Sequence, residues 1–259
     1  MGLRIGIIGG NGWIGGAMAR AAAGAGVVTA GDLSLSCRSA PPGWLPEAHW
    51  TSDNQALADR SEVVILSVRP QDWPAIRFSA PGRLAISVMA GVALGDIAAR
   101  LGTRRVVRAL PNAAAEVGAS YTPWTATAEV SDADRATVRR LIDSFGSGDE
   151  VATEAEIDYM TGLSGTGPAY PALLASAMMR DAVAHGLPPD VARRSVVALA
   201  ARGHRPPLRE DGRESGEYRG GLRRVSGRHR CGDRDHAGAR PRGGGLGGAR
   251  RGAREVARP

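Results

Sequence analysis

Ile5–Gly24 reads IGIIGGNGWIGGAMARAAAG, an apolar run that breaks into a Gly-rich turn and then into an Ala-rich stretch. The run from Leu3 to Ile8 suits a strand buried on both faces. Gly10, Gly12 and Gly15 fit G-x-G-x-x-G directly after that strand and open a helix over Trp13–Ala25, the context in which such a turn binds a dinucleotide. On this reading Gly10 permits the tight turn, Gly12 lets a pyrophosphate approach the backbone, and Gly15 lets the helix close on the sheet. Asn11, Trp13 and Ile14 complete the turn, and the helix N-terminus adds the positive end of its dipole.

Working outward, apolar runs at Val63–Val68, Leu84–Met89 and Val106–Leu110 alternate with helical patterns near 53–60 and 94–101. That alternation predicts an α/β fold with a doubly wound, Rossmann-type parallel sheet. A strand-like piece at Ser120–Thr125, a helix over Asp132–Phe145 and a short strand near Glu150 close a first domain over residues 1–152. The pattern then turns wholly helical, with helices expected at Glu154–Leu163, Pro168–His185 and Pro189–Arg202, the last two separated by GLPP (Gly186–Pro189). This marks a smaller all-helical domain over 153–217, followed by an Arg/Gly-rich segment over 218–259.

The 259 residues, 43% hydrophobic, are enough for a sizeable core. No run approaches the ~20 apolar residues of a membrane span, and the N-terminus enters a strand pattern without a charged leader, so a soluble cytoplasmic protein is expected. Cys37 and Cys231 have neither framework nor metal-ligand spacing and read as free thiols, and no metal site is expected. The net charge of +7 is unevenly placed: residues 1–217 hold 21 Arg against 23 acids, whereas residues 218–259 hold 12 Arg against 3 acids. The basicity therefore belongs to the tail, and nucleic acid is not the expected partner of the folded part. Lys is absent throughout.

A site for NAD places an acid at the end of the second strand, near the ribose hydroxyls. Here Ser36, Cys37, Arg38 and Ser39 stand there, and Asp32 falls before the strand. Arg38 flanked by hydroxyls suits a 2′-phosphate through charge-assisted hydrogen bonds, so NADP is the expected cofactor, with NAD as the alternative. The other reading of Arg38 is a solvated loop residue. Further on, Thr161–Tyr170 reads TGLSGTGPAY, directly after the acidic stretch Glu154, Glu156, Asp158. Its glycines and the Ser164 and Thr166 hydroxyls allow close approach to a ligand, and Pro168 suits the first turn of a helix.

Together with the Gly turn, TGLSGTGPAY resembles pyrroline-5-carboxylate reductase, the last enzyme of proline synthesis. The resemblance implies NADPH-dependent reduction of a cyclic imine, 1-pyrroline-5-carboxylate, to L-proline, with the helical domain pairing with a second subunit as a homodimer or larger. Ser67–Gln71 (SVRPQ) looks like the family's Val-Lys-Pro segment, with Val68, Arg69 and Pro70 at the cofactor and Arg69 replacing Lys. Ser87–Val92 (SVMAGV) is similar to the family's Ala-Ala-Gly stretch beside the nicotinamide, with Met89 and Ala90 in the first two places. Asn54 matches an Asn near the cofactor adenosine, or is a helix cap. Arg108–Gly118 (RALPNAAAEVG) resembles Met-Pro-Asn-Thr-Pro, and Asn112 either orients carboxamide or substrate or satisfies a buried turn. Ser164, Thr166 and Glu154 are the catalytic candidates, Glu154 matching an acidic position near the ring nitrogen or serving as an ordinary first-turn helix acid. β-Hydroxyacid dehydrogenases share the Gly-turn-plus-helices plan but need a catalytic Lys, which this chain lacks.

The family's late Ser-Pro-Gly-Gly-Thr-Thr loop, which grips the substrate carboxylate, is missing as written; the resemblance covers residues 3 to about 202. After Gly203 the chain turns to Arg, Gly and Pro. One reading is a basic disordered tail able to bind RNA, which would make the chain a non-catalytic NADP-binding protein. The favoured reading is a shifted frame: reading one nucleotide forward across Tyr218–His236, permitted codons give an amphipathic helix, a Gly turn and a stretch resembling the missing motif.

Overall fold

The structure, a computed structural model, describes residues 2–38, 42–167 and 169–200. Ser39, Pro168, the end of the expected helical domain and the whole 218–259 segment lie outside the described residues. A seven-stranded sheet forms from β1 (Ile5–Ile8), β2 (Leu33–Ser36), β3 (His49–Thr51), β4 (Val63–Leu66), β5 (Leu84–Ser87), β6 (Val106–Ala109) and β8 (Trp124–Ala126), in the order β3-β2-β1-β4-β5-β6-β8. All neighbours are parallel except β6 and β8, where Ala109 faces Trp124 and Val107 faces Ala126. The expected doubly wound Rossmann-type sheet is what is found. Its order reverses at β1, which pairs with β2 on one side and β4 on the other, so the crevice lies beyond the C-terminal ends of these strands.

The continuous apolar runs follow from two buried faces. Along β4, Val63 and Ile65 point into one core and Val64 and Leu66 into the other, the period of two of an extended chain. The first core is covered by α1 (Trp13–Gly24) and α4 (Asp132–Phe145), through Met18, Ala22, Leu141 and Phe145. The second is covered by α2 (Asn54–Arg60) and α3 (Leu94–Leu101), through Leu57, Ile97 and Leu101.

Two details differ from expectation. β3 gives no sequence signal, because three residues at a sheet edge, one exposed and two half-buried, carry no apolar run. The single strand expected at Ser120–Thr125 is two, β7 (Ser120–Tyr121) and β8, split around Pro123. β7 pairs with β9 (Gly146–Ser147), and Glu150 forms only an isolated bridge to Trp124.

α4 starts on a reciprocal cap in which Ser131 Oγ accepts from the Asp134 amide at 3.2 Å and the Ser131 amide donates to Asp134 Oδ2 at 3.0 Å. α5 (Glu154–Met160) starts the same way, on Thr153 and Glu156. α5 then passes into a π-helical turn over Thr161–Gly165, closed by the Thr166 amide donating to the Thr161 carbonyl at 3.1 Å. α6 (Ala169–Ala184) and α7 (Pro189–Ala198) pair with each other, burying Ala192 and Val196. Several of their other apolar side chains stay open: Leu173 is 68% exposed and Leu174 63%. Among the described residues no helix is long and apolar enough to cross a membrane.

Candidate functional site

A cleft of about 870 Å³ opens at the C-terminal ends of β1, β2 and β4. Its floor is the Gly turn. Gly9 carries the left-handed backbone (φ 85°), so the residue that permits the tight turn is Gly9, not Gly10. Gly10 is buried, and a Cβ there would lie 2.9 Å from the Leu35 Cβ, so its lack of a side chain serves packing against β2. Gly15 is buried too; a Cβ would lie 2.5 Å from the Gly9 carbonyl oxygen, as expected of the residue where helix closes on sheet. Gly12 is exposed in the cleft, its amide donating to the Gly9 carbonyl at 2.8 Å. Ser36 ties the turn to β2, its Oγ accepting from the Gly9 amide at 3.0 Å.

α1 begins at Gly12 with no side-chain cap and no acid in its first turn. Its first amides have no intrahelical acceptor and meet no competing carboxylate. An uncapped, unacidic helix start above a side-chain-free turn fits a pyrophosphate. Asn11, Trp13 and Ile14 line the cleft beside Gly12, and Trp13 is 59% exposed.

Ser36, Cys37, Arg38 and Asn54 form one wall. Arg38 is exposed and makes no ion pair among the described residues. Asn54 is not the cap of α2: Asp53 is, accepting from the Gln55 and Ala56 amides at 2.8 and 3.1 Å. The opposite wall holds Val68, Arg69 and Asp72. Arg69 grips Asp72 with two parallel hydrogen bonds, Nε to Oδ2 at 2.9 Å and Nη2 to Oδ1 at 3.1 Å. That bond raises the Arg69 guanidinium above its ordinary pKa and lowers the Asp72 carboxyl. Pro70 is exposed at the start of the 3₁₀ turn that carries Asp72.

Val88, rather than Met89, lines the cleft beyond β5. Met89 is fully buried, its side chain packed in the second core and its amide donating to Ser87 Oγ at 3.2 Å; Ala90 is exposed beside it. A bulky residue is tolerated there because it faces the core.

The helix-start segment is anchored to the sheet by buried polar groups. Arg108, at the end of β6 and 3% exposed, donates to Glu154 Oε1 at 3.1 Å and to Asp158 Oδ1 at 2.5 Å. The same Glu154 oxygen accepts from the Leu94 amide, the first of α3, at 2.9 Å. Asn112 Nδ2 donates to the Ser164 carbonyl at 3.0 Å, while its Oδ1 accepts from the Ala114 amide and its own amide donates to Ser120 Oγ. Asn112 therefore both satisfies its turn and holds the π-helical segment. Ser164 Oγ donates to the Met160 carbonyl at 3.3 Å, and Thr166 Oγ1 to the Gly162 carbonyl at 2.6 Å.

The structure thus gathers Asn11, Gly12, Trp13, Ile14, Ser36, Arg38, Asn54, Val68 and Arg69 round one cleft. It joins Glu154 and Asn112 to the segment bearing Ser164 and Thr166. None of Ser164, Thr166 or Glu154 lines that cleft. Sequence reasoning passed over Arg108, Asp158 and Asp72. An Arg inside the apolar run VVRAL was the available signal for Arg108, and the Arg–x–x–Asp spacing after β4 was the signal for Asp72.

Residues 154–206 match the family model described as pyrroline-5-carboxylate reductase dimerisation, and residues 4–91 match that described as NADP oxidoreductase coenzyme F420-dependent. The pyrroline-5-carboxylate reductase of Thermus thermophilus is 42% identical over 147 residues, 55% of this chain and 56% of that one. The chain thus spans little more than half the length of this relative. That of Corynebacterium melassecola is 31% identical over 186 residues, 68% of each chain. In fold, the pyrroline-5-carboxylate reductase of Coxiella burnetii superposes with a TM-score of 0.72 at 23% identity, covering 88% of this chain and 91% of that one. A reversing-point cleft floored by a Gly turn, a helix start and π-helical turn tethered to Arg108 and Asn112, and a relative matched over two thirds of its length lead to one assignment: the chain belongs to the pyrroline-5-carboxylate reductase family.

Proposed function

We propose that the chain binds NADPH in the cleft and reduces 1-pyrroline-5-carboxylate to L-proline, as a homodimer or larger assembly. The observation that carries this reading is the pairing of the Gly-turn cleft with a second, hydroxyl-bearing segment that Arg108 and Asn112 fix to the ends of β6 and the loop after it. When bound, the cofactor supplies a hydride to the C=N carbon. The Gly12 turn and the first amides of α1 take the pyrophosphate, Arg38 and Ser36 the ribose 2′-phosphate, and Asn54 the adenosine side. Val68, Pro70 and Ala90 border the rest of the cofactor, with Met89 contributing backbone only.

Reducing a cyclic imine also needs a protonated ring nitrogen and donors for its carboxylate. Ser164 and Thr166 supply hydroxyls that exchange their intrahelical carbonyl partners for substrate. Glu154 is the acid for the ring nitrogen, through Oε2, since Oε1 is held by Arg108 and the Leu94 amide. NADH is the weaker alternative cofactor. The open apolar faces of α6 and α7 are the surface that a second copy covers.

The test is NADPH oxidation on adding 1-pyrroline-5-carboxylate, with proline as the product identified by mass spectrometry, alongside calorimetric titration with NADPH. Binding with imine-dependent turnover supports the reading. Binding without turnover leaves a non-catalytic dinucleotide-binding protein.

A further inference from the structure

The cofactor cleft contains an acid that the binding of a phosphorylated nucleotide has no use for. Asp72 lines the wall opposite Arg38, on the short turn after β4, and its two oxygens fill the fork of Arg69. That planar, two-bond geometry is the one an arginine offers to a phosphate. Arg69 holds the Asp72 carboxyl below its ordinary pKa, and the charge of Arg38 adds to that in a smaller measure. The third arginine of the wall, Arg77, is turned away, its guanidinium donating to the Pro74 and Ile76 carbonyls.

We infer that Asp72 is a specificity-determining residue of the cleft: its carboxylate fills the Arg69 fork, so a ribose 2′-phosphate held at Arg38 gains Arg69 only by displacing it, and an unphosphorylated nucleotide has no need to. This rests on the reading of the cleft as a nucleotide site. The 2′-phosphate gains Arg38 and Arg69 but meets the like charge of Asp72, which has no other hydrogen-bond partner among the described residues to turn to. NADH brings no such charge and leaves the Arg69–Asp72 pair intact. Asp72 therefore narrows the preference for NADPH that the arginines create.

The experiment is calorimetric titration of the full chain and its Asp72→Asn variant with NADPH and with NADH, at two salt concentrations. Asp72 is partly exposed and bonded only to Arg69, so the variant keeps the fold; its melting curve checks this. The expected result is NADPH binding tightened roughly fivefold, as befits a partly exposed ion pair, with NADH changed less than about twofold and a steeper salt dependence for NADPH alone. Arg69→Met should weaken NADPH selectively, and Arg69→Met with Asp72→Asn should recover part of that loss. An unchanged NADPH-to-NADH ratio in Asp72→Asn, with the wild type binding NADPH, overturns the inference alone. A folded wild type that binds neither nucleotide overturns the cleft reading with it.

Discussion

Gly12 and Gly15 separate what the turn does for a ligand from what it does for the fold. Gly12 is exposed, and a Cβ there meets the Gly9 carbonyl oxygen at 3.0 Å and the Ser67 carbonyl oxygen at 3.8 Å. Gly12→Ala should leave the melting temperature nearly unchanged while weakening NADPH roughly tenfold, about 1.4 kcal/mol, as read by titration. Gly15→Ala forces backbone apart from backbone and should cost roughly 1–3 kcal/mol of stability in denaturant unfolding, losing the nucleotide as a consequence. Arg108 is a different case. Its guanidinium is buried, its Nε has no partner among the described residues, and its two carboxylates come from a helix distant in sequence. Arg108→Met removes the hydrogen bonds to Glu154 and Asp158, whose carboxylates keep access to water, and should cost about 2 kcal/mol. Limited proteolysis should then cut within residues 161–167 well before the Gly turn. The Gly turn was legible because its spacing is local. The clamp was not, because Arg108 and Glu154 lie 46 residues apart and only folding makes them neighbours.

α4 shows how an element can be read nearly to the residue. Its expected span, Asp132–Phe145, is the observed one, because a Ser with an Asp three residues later fixes the start and Gly146 follows the end. Ser131→Ala should destabilise the protein by about 1 kcal/mol in thermal unfolding. Asp134 adds a pH dependence. Burial pushes its carboxyl up, but hydrogen bonds from Arg105 and from the Ser131 amide and hydroxyl outweigh this and leave it below its ordinary value. A folded-state pKa below the unfolded one, about 3.9, means the contribution is fully present above that value and is lost as pH falls through the folded one. Acid unfolding of Asp134→Asn should therefore show a shallower loss of stability below about pH 4 than the wild type. α5 was less legible: a helix over 154–163 was expected, but the π-helical turn begins at Thr161. Nothing in side-chain periodicity reports a hydrogen bond that reaches one residue further back. β3 escaped for the opposite reason, being too short and too exposed to leave a pattern.

For the whole molecule, the half-open helices α6 and α7 are the least self-sufficient part among the described residues. A lone chain would leave Leu173 and Leu174 in water, and covering them is worth roughly 1.5–3 kcal/mol each. Sedimentation should show a dimer or larger for the wild type and a smaller species for Leu173→Glu with Leu174→Glu. The reversed strand β8 decides where those helices begin. β6 climbs to the crevice rim at Ala109; β8 starts there, opposite Ala109, and descends to Ala126. α4 climbs back, so the chain reaches the rim again at Gly146, beside Ser120, and α5 starts within reach of Arg108. An up strand, a down strand and an up helix make an odd number of traverses, and an odd number is what returns the chain to the side it must serve. Had the last strand run parallel, as its six predecessors do, a helix would have had to descend before it, and a helix following it would have carried the hydroxyl-bearing turn to the opposite rim. A single change of strand direction thus moves the connecting helix from before the last strand to after it, where it delivers α5 to the rim.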